Sequence, residues 1–186
     1  MSQTKSNIVM IGMPASGKST VGIILAKALG YDFIDGDLLI QKTTGKKLDE
    51  LMGEIGTQAF LDLESRIHQN ITAERTVIAP GGSVVMEEEA MRHLQEIGTI
   101  VYLQMDLDMA LDRLHDPKKR GVVLEEGETI ETLYYKRLPL YEKYAEITVN
   151  ERGHALEDLV IQILTKLHGH CPHENRPAIN ARIKKI

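Results

Sequence analysis

Residues 7–20 read Asn-Ile-Val-Met-Ile-Gly-Met-Pro-Ala-Ser-Gly-Lys-Ser-Thr, and their reading decides the fold. An apolar run ends at Gly12, and Gly17, Lys18 and Ser19 complete the spacing GxxxxGK[ST], the pattern of a P-loop. Glycines let the backbone wrap a polyphosphate, so that several N–H groups and the positive end of the following helix converge on it. Gly12, Ala15, Ser16, Gly17, Lys18, Ser19 and Thr20 are therefore the expected nucleotide-binding residues. Lys18 supplies a charge for the β- and γ-phosphates, and Ser19 a hydroxyl for Mg²⁺. Ile8 to Ile11 predict a short buried strand, and Val21, Ile24, Leu25, Ala28 and Leu29 predict one face of a helix closed by Gly30. Strand, loop and helix occur in the order the motif requires.

Working outward, 186 residues with 42% hydrophobic composition suit one domain with a sizeable core. A net charge of −5 without a long block of one sign gives no nucleic-acid or membrane surface. The single cysteine, Cys171, excludes an intramolecular disulfide. There is no signal-peptide pattern and no apolar stretch of about 18 residues, so a cytoplasmic location is expected.

Residues 31–35 predict a second strand that ends at Asp35-Gly36-Asp37, with a helix running on from Leu38. In an open α/β sheet ligands sit beyond the carboxyl ends of the strands, so both carboxylates are expected on the same rim as the P-loop. Helix capping is the competing role for either one. Phosphoryl transfer needs one carboxylate near Mg²⁺ and another near the attacking hydroxyl. Gly45 breaks the chain, 48–53 predict a short helical turn, and 57–72 a longer helix with Phe60, Leu63, Ile67 and Ile71 as its apolar stripe. Leu61 lies off that stripe beside Glu64, either as an ordinary exposed leucine or as a wall of a substrate cleft.

Residues 76–79 predict a third strand ending in Pro80-Gly81-Gly82-Ser83, where glycines would admit a ligand to the backbone or simply make a turn. Helical patterns near 87–97 and 107–114 flank a strand at 99–104, and alternation of this kind argues for a parallel sheet covered on both faces. Periodicity is lost from 115 to 127, where Lys118, Lys119 and Arg120 suit a mobile lid over polyphosphate or a solvated basic loop. A helix from about 129 carries Arg137 just before Pro139, which should kink it or mark a restart. A strand at 147–149 and a helix at 156–167 close the domain at about residue 168. The remainder, 169–186, reads as a flexible tail. His168, His170, Cys171 and His173 have metal-ligand chemistry, but no second cluster completes a structural site.

Taken together, GMPASGKSTVG, FIDGD, FLDLE, PGGS, a lid arginine and KRLPLY resemble the shikimate kinase family over roughly residues 7–167. The resemblance implies an α/β P-loop kinase core with a five-stranded parallel sheet flanked by helices, a helical substrate-binding region near 36–64 and a lid near 115–127. It also implies ATP, Mg²⁺ and transfer of the γ-phosphoryl group to a ring hydroxyl of shikimate; a monomer with a small-molecule substrate is expected. By position, Lys18 would hold phosphates, Ser19 would ligate Mg²⁺ and Asp35 would contact it through water. Asp37 would bind the substrate hydroxyls and orient the attacking one. Gly81 and Gly82 would touch substrate and phosphate, Arg120 would be the lid arginine, and Arg137 would grip the substrate carboxylate. Lys18, Asp37 and Arg120 are thus the catalytic candidates.

One position departs from the family pattern Phe-Arg-x-x-Glu: the chain has Leu61 where a second carboxylate-binding arginine is expected. Losing one charge-assisted contact of about 1.5 to 3 kcal/mol would weaken carboxylate binding roughly tenfold to more than a hundredfold. Thr57 and Ser83 also replace a family Glu and a family Gly. Two rivals stand beside shikimate phosphorylation: a kinase of another small hydroxylated metabolite, and a nucleotide-binding regulator without catalysis. A GTPase is disfavoured because no NKxD segment occurs.

Overall fold

The structure is a computed structural model that describes residues 5–116, 122, 124, 125 and 127–170. Five strands, β1 (Asn7–Ile11), β2 (Asp32–Asp35), β3 (Thr76–Ala79), β4 (Gly98–Gln104) and β5 (Ile147–Asn150), form one parallel sheet in the order β2-β3-β1-β4-β5. Strand order reverses around β1, so the crevice at its carboxyl end is where such a sheet binds a ligand.

Alternate side chains of the strands feed two cores, because successive residues of a strand face opposite sides. Val9, Ile11, Ile78, Ile100 and Tyr102 meet α5 (Glu88–Ile97), α6 (Leu107–Arg113) and α7 (Ile130–Tyr144) on one face. Ile8, Met10, Val77, Val101 and Leu103 meet α1 (Lys18–Leu29) and α8 (Leu156–His170) on the other. A small third cluster of Ile40, Leu51 and Phe60 joins α2 (Gly36–Thr44), α3 (Leu48–Ile55) and α4 (Thr57–Gln69) beside the sheet edge.

Two sequence expectations change. The buried face of α4 is Phe60, Glu64 and His68, whereas Leu63 and Ile67 are half-buried and Ile71 lies past the helix end. The inward face is polar because the loop after β3 supplies Glu64 with the Ser83 hydroxyl. At Pro139 there is no restart: α7 runs through it. The proline removes the helical donor to the Tyr135 carbonyl, and Tyr135 is 57% exposed, so water can replace that bond. Among the described residues no helix is long and apolar enough to cross a membrane.

Candidate active site

The phosphate loop is held open by its backbone. Gly17 has φ 79° and Ala15 φ 61°, both left-handed, while Ser16 N donates to the Met13 carbonyl at 3.2 Å. A Cβ on Gly12, whose φ is 152°, would lie 2.5 Å from the Leu103 carbonyl oxygen, so only glycine fits between loop and sheet. Lys18 begins α1 and is buried, its Nζ donating to the carbonyls of Gly12 at 3.0 Å and Met13 at 2.8 Å. Burial lowers its pKa to about 8, with Asp37 opposing and Arg137 reinforcing the shift. Ser16 Oγ is buried with no partner among the described residues, an orphaned polar atom inside a loop shaped for an anion.

Asp35 caps a helix and also faces the P-loop serine. Its Oδ1 accepts from Leu38 N at 3.1 Å, capping α2, and its Oδ2 accepts from Ser19 Oγ at 2.6 Å. Because α2 begins at Gly36, earlier than expected, Asp37 sits in the first helical turn. Burial, then the neighbouring carboxylates of Asp35 and Glu64, raise the pKa of Asp37, while Lys18 lowers it.

Gly81 and Gly82 turn the chain against α4 and the P-loop. A Cβ on Gly81 would strike Glu64 Oε1, and one on Gly82 would approach the Pro14 ring to 2.8 Å. Tyr141 donates its hydroxyl to the Gly82 carbonyl at 2.8 Å and stacks on Tyr102, fixing α7 against this loop. One turn earlier on α7, Arg137 is only 4% exposed, and its Nε has no partner among the described residues.

These parts enclose one cavity of about 370 Å³. Of the sequence candidates, Ala15, Gly17, Lys18, Ser19, Thr20, Asp35, Asp37, Gly81, Gly82 and Arg137 line it. Gly12 and Ser16 shape the loop from behind. Leu61 is not among the described lining residues; it is half-buried and packs against the third cluster. Arg120, with Lys118 and Lys119, lies outside the described residues, as do Cys171 and His173, although Val122 of the same segment contributes to the cavity wall. Leu48, Phe60, Glu64 and Val122 also line the cavity; the sequence reading put them inside the expected substrate-binding and lid regions without naming any of them as a site residue. For Phe60 and Glu64 the signal was at hand, since they are the two ends of the FLDLE motif.

A phosphate loop, two carboxylates and a buried guanidinium facing one cavity define a P-loop kinase of a small molecule. The sequence profile of shikimate kinase matches residues 14–168. The chain belongs to the shikimate kinase family. It is 37% identical over 161 residues to the shikimate kinase of Thermodesulfovibrio yellowstonii, covering 85% of this chain and 92% of that one. Identity to the shikimate kinase of Persephonella marina is 33% over 162 residues, covering 87% and 98%. The shikimate kinase from Acinetobacter baumannii, solved in complex with shikimate, superposes with a TM-score of 0.82 at 29% identity, covering 90% of this chain and 96% of that one.

Proposed function

We infer that this chain transfers the γ-phosphoryl group of ATP to a hydroxyl of shikimate, giving shikimate 3-phosphate and ADP. The observation that carries the reading is Arg137, a buried residue that lines the same cavity as Lys18 and Asp37 and whose Nε has no partner among the described residues. A guanidinium fork suits a carboxylate. The known ligand of a relative is an acid bearing hydroxyls, and the site offers a partner for each of those groups.

The loop N–H groups and Lys18 hold the phosphates, and Arg137 holds the acceptor carboxylate. Asp37 accepts a hydrogen bond from the attacking hydroxyl and orients it. The hydroxyl oxygen bonds to the γ-phosphorus as the bond to the ADP oxygen breaks; the hydroxyl proton passes to Asp37 and then to solvent. Ser19 and Asp35 fit Mg²⁺, since both are hard oxygen donors and the hydroxyl keeps its lone pairs while donating to the carboxylate. Mg²⁺ there would neutralise charge on the phosphates. The segment at 115–127, with Arg120, would close over the nucleotide, and residues 36–64 would form the acceptor side of a single domain spanning 1–168. The same reading has the enzyme act in the cytoplasm, as a monomer and without nucleic-acid partners.

A second reading, phosphorylation of another small hydroxylated acid, is favoured by Leu61, which leaves Arg137 as the one guanidinium among the described lining residues. A coupled ADP-release assay over a panel of hydroxylated acids with ATP and Mg²⁺ separates them. Turnover with shikimate supports the first reading. Turnover with another acid alone overturns the acceptor and keeps the kinase, and ATP binding without any turnover overturns both.

A further inference from the structure

We propose that Glu151 is a positioning residue for the nucleotide half of the site: through Arg113 it fixes the carbonyl of Ala15, and with it the left-handed turn of the phosphate loop. The inference rests on the reading of that loop as the nucleotide site. Ala15 holds φ 61° without being glycine, a conformation that persists where its surroundings over-determine it. The contact that does so comes from α6. Arg113 Nη1 donates to Ala15 O at 3.1 Å and to Glu151 Oε2 at 2.6 Å, and rests on Met105 Sδ at 3.6 Å.

Glu151 is itself fixed. It follows β5 directly, its N–H donates to the Gln104 carbonyl at the end of β4, and its carbonyl accepts from His154 N. Next to it, Arg152 pairs with Asp106 and Asp108 at the start of α6, so the loop is latched from outside while Glu151 points inward. Glu151 is 6% exposed, and its Oε1 has no partner among the described residues.

This arrangement is weak evidence of a stability device, because the hydration lost by a buried carboxylate with one unsatisfied oxygen can exceed what a single pair restores. Its geometric effect is specific. Arg113 is the last residue of α6, immediately before the segment read as a lid, so the same guanidinium joins the root of that segment to the phosphate loop. The Glu151 charge also acts on Lys18, where it favours the protonated ammonium. A simple structural latch would affect nucleotide and acceptor alike, whereas a loop-positioning residue acts on the nucleotide.

The test uses the full chain and MgADP, titrated calorimetrically, alongside KM for ATP and for shikimate. Losing a hydrogen bond to a charged group predicts that Glu151→Ala weakens MgADP binding about tenfold and raises the ATP KM in parallel, with the shikimate KM within about twofold of wild type. Glu151→Gln, whose amide oxygen still accepts from Arg113, recovers most of the affinity. If Glu151→Ala does not fold, Glu151→Asp, too short to reach Arg113 from the same backbone, carries the comparison and is expected to bind MgADP more weakly than Glu151→Gln. Unchanged MgADP affinity in the folded variant, or an equal rise in both KM values, overturns the proposal. Failure of the wild-type chain to bind MgADP overturns instead the nucleotide reading beneath it.

Discussion

Ser19 Oγ donates to Asp35 Oδ2 across 2.6 Å, joining the first turn of α1 to the end of β2. The bond aims the hydroxyl lone pairs away from the carboxylate, as a magnesium ligand needs. Outer partners of metal ligands are commonly worth about 10- to 100-fold in metal affinity or activity. Asp35→Asn is therefore expected to raise the Mg²⁺ concentration for half-maximal rate at least tenfold or so. An unchanged Mg²⁺ titration would remove Asp35 from the metal site.

Lys18 has a pKa lowered to about 8 by burial, so raising pH through that value discharges the ammonium in the free enzyme. Because kcat/KM reports free-enzyme groups, its value for ATP should fall on an alkaline limb near pH 8. Lys18→Arg keeps its charge across this range, so whatever activity it retains should lack the limb. A wild-type profile flat to about pH 9.5 would sink the assignment.

Arg137→Lys preserves the buried charge and loses the planar fork. The shikimate KM should rise about tenfold or more, in line with one lost charge-assisted bond, while the ATP KM stays within about twofold. Equal effects on both would mean that Arg137 holds the site together without gripping the acceptor.

Glu64 is buried, and burial raises its pKa; Ser83 and Arg137 pull it partly back. A carboxyl raised in the folded state contributes its stability below its ordinary pKa and loses it as pH rises through the folded value. Glu64→Gln stays neutral throughout and can still accept from Ser83, so its Tm should exceed that of wild type at pH 8 and converge with it near pH 4.5. A Tm deficit at pH 8 would show that the ionised form is the stabilising one.

Leu61→Arg tests the acceptor. With shikimate as the native substrate held through Arg137, the added arginine should change the shikimate KM by less than about tenfold. A gain of a hundredfold or more in shikimate kcat/KM would point to a different native acceptor.

The phosphate loop and the strand-end carboxylates were legible in the sequence because each depends on local chemistry. Gly12 and Gly17 mark backbone that other residues cannot follow, and Asp35 and Asp37 stand where a strand must end. The inner face of α4 was illegible for the opposite reason. Apolar periodicity pointed to Leu63 and Ile67, yet Glu64 and His68 are buried, because Ser83 satisfies Glu64 from nineteen residues away. Pro139 likewise read as a kink or a restart, and exposure of Tyr135 lets the helix continue without a restart.

The sequence alone determined that residues 12–19 form a P-loop and that a parallel α/β sheet carries it, since spacing and alternation are properties of neighbouring residues. Tertiary structure decided what faces that loop. Parallel pairing of β1 with β3 and β4 brings together strand ends roughly 70 to 90 residues apart in sequence, and α7 and the loop after β5 then close on them. Arg137 reaches the cavity, Leu61 packs beside it, and Glu151 reaches Ala15 through Arg113 because of those long-range contacts, which no local pattern encodes.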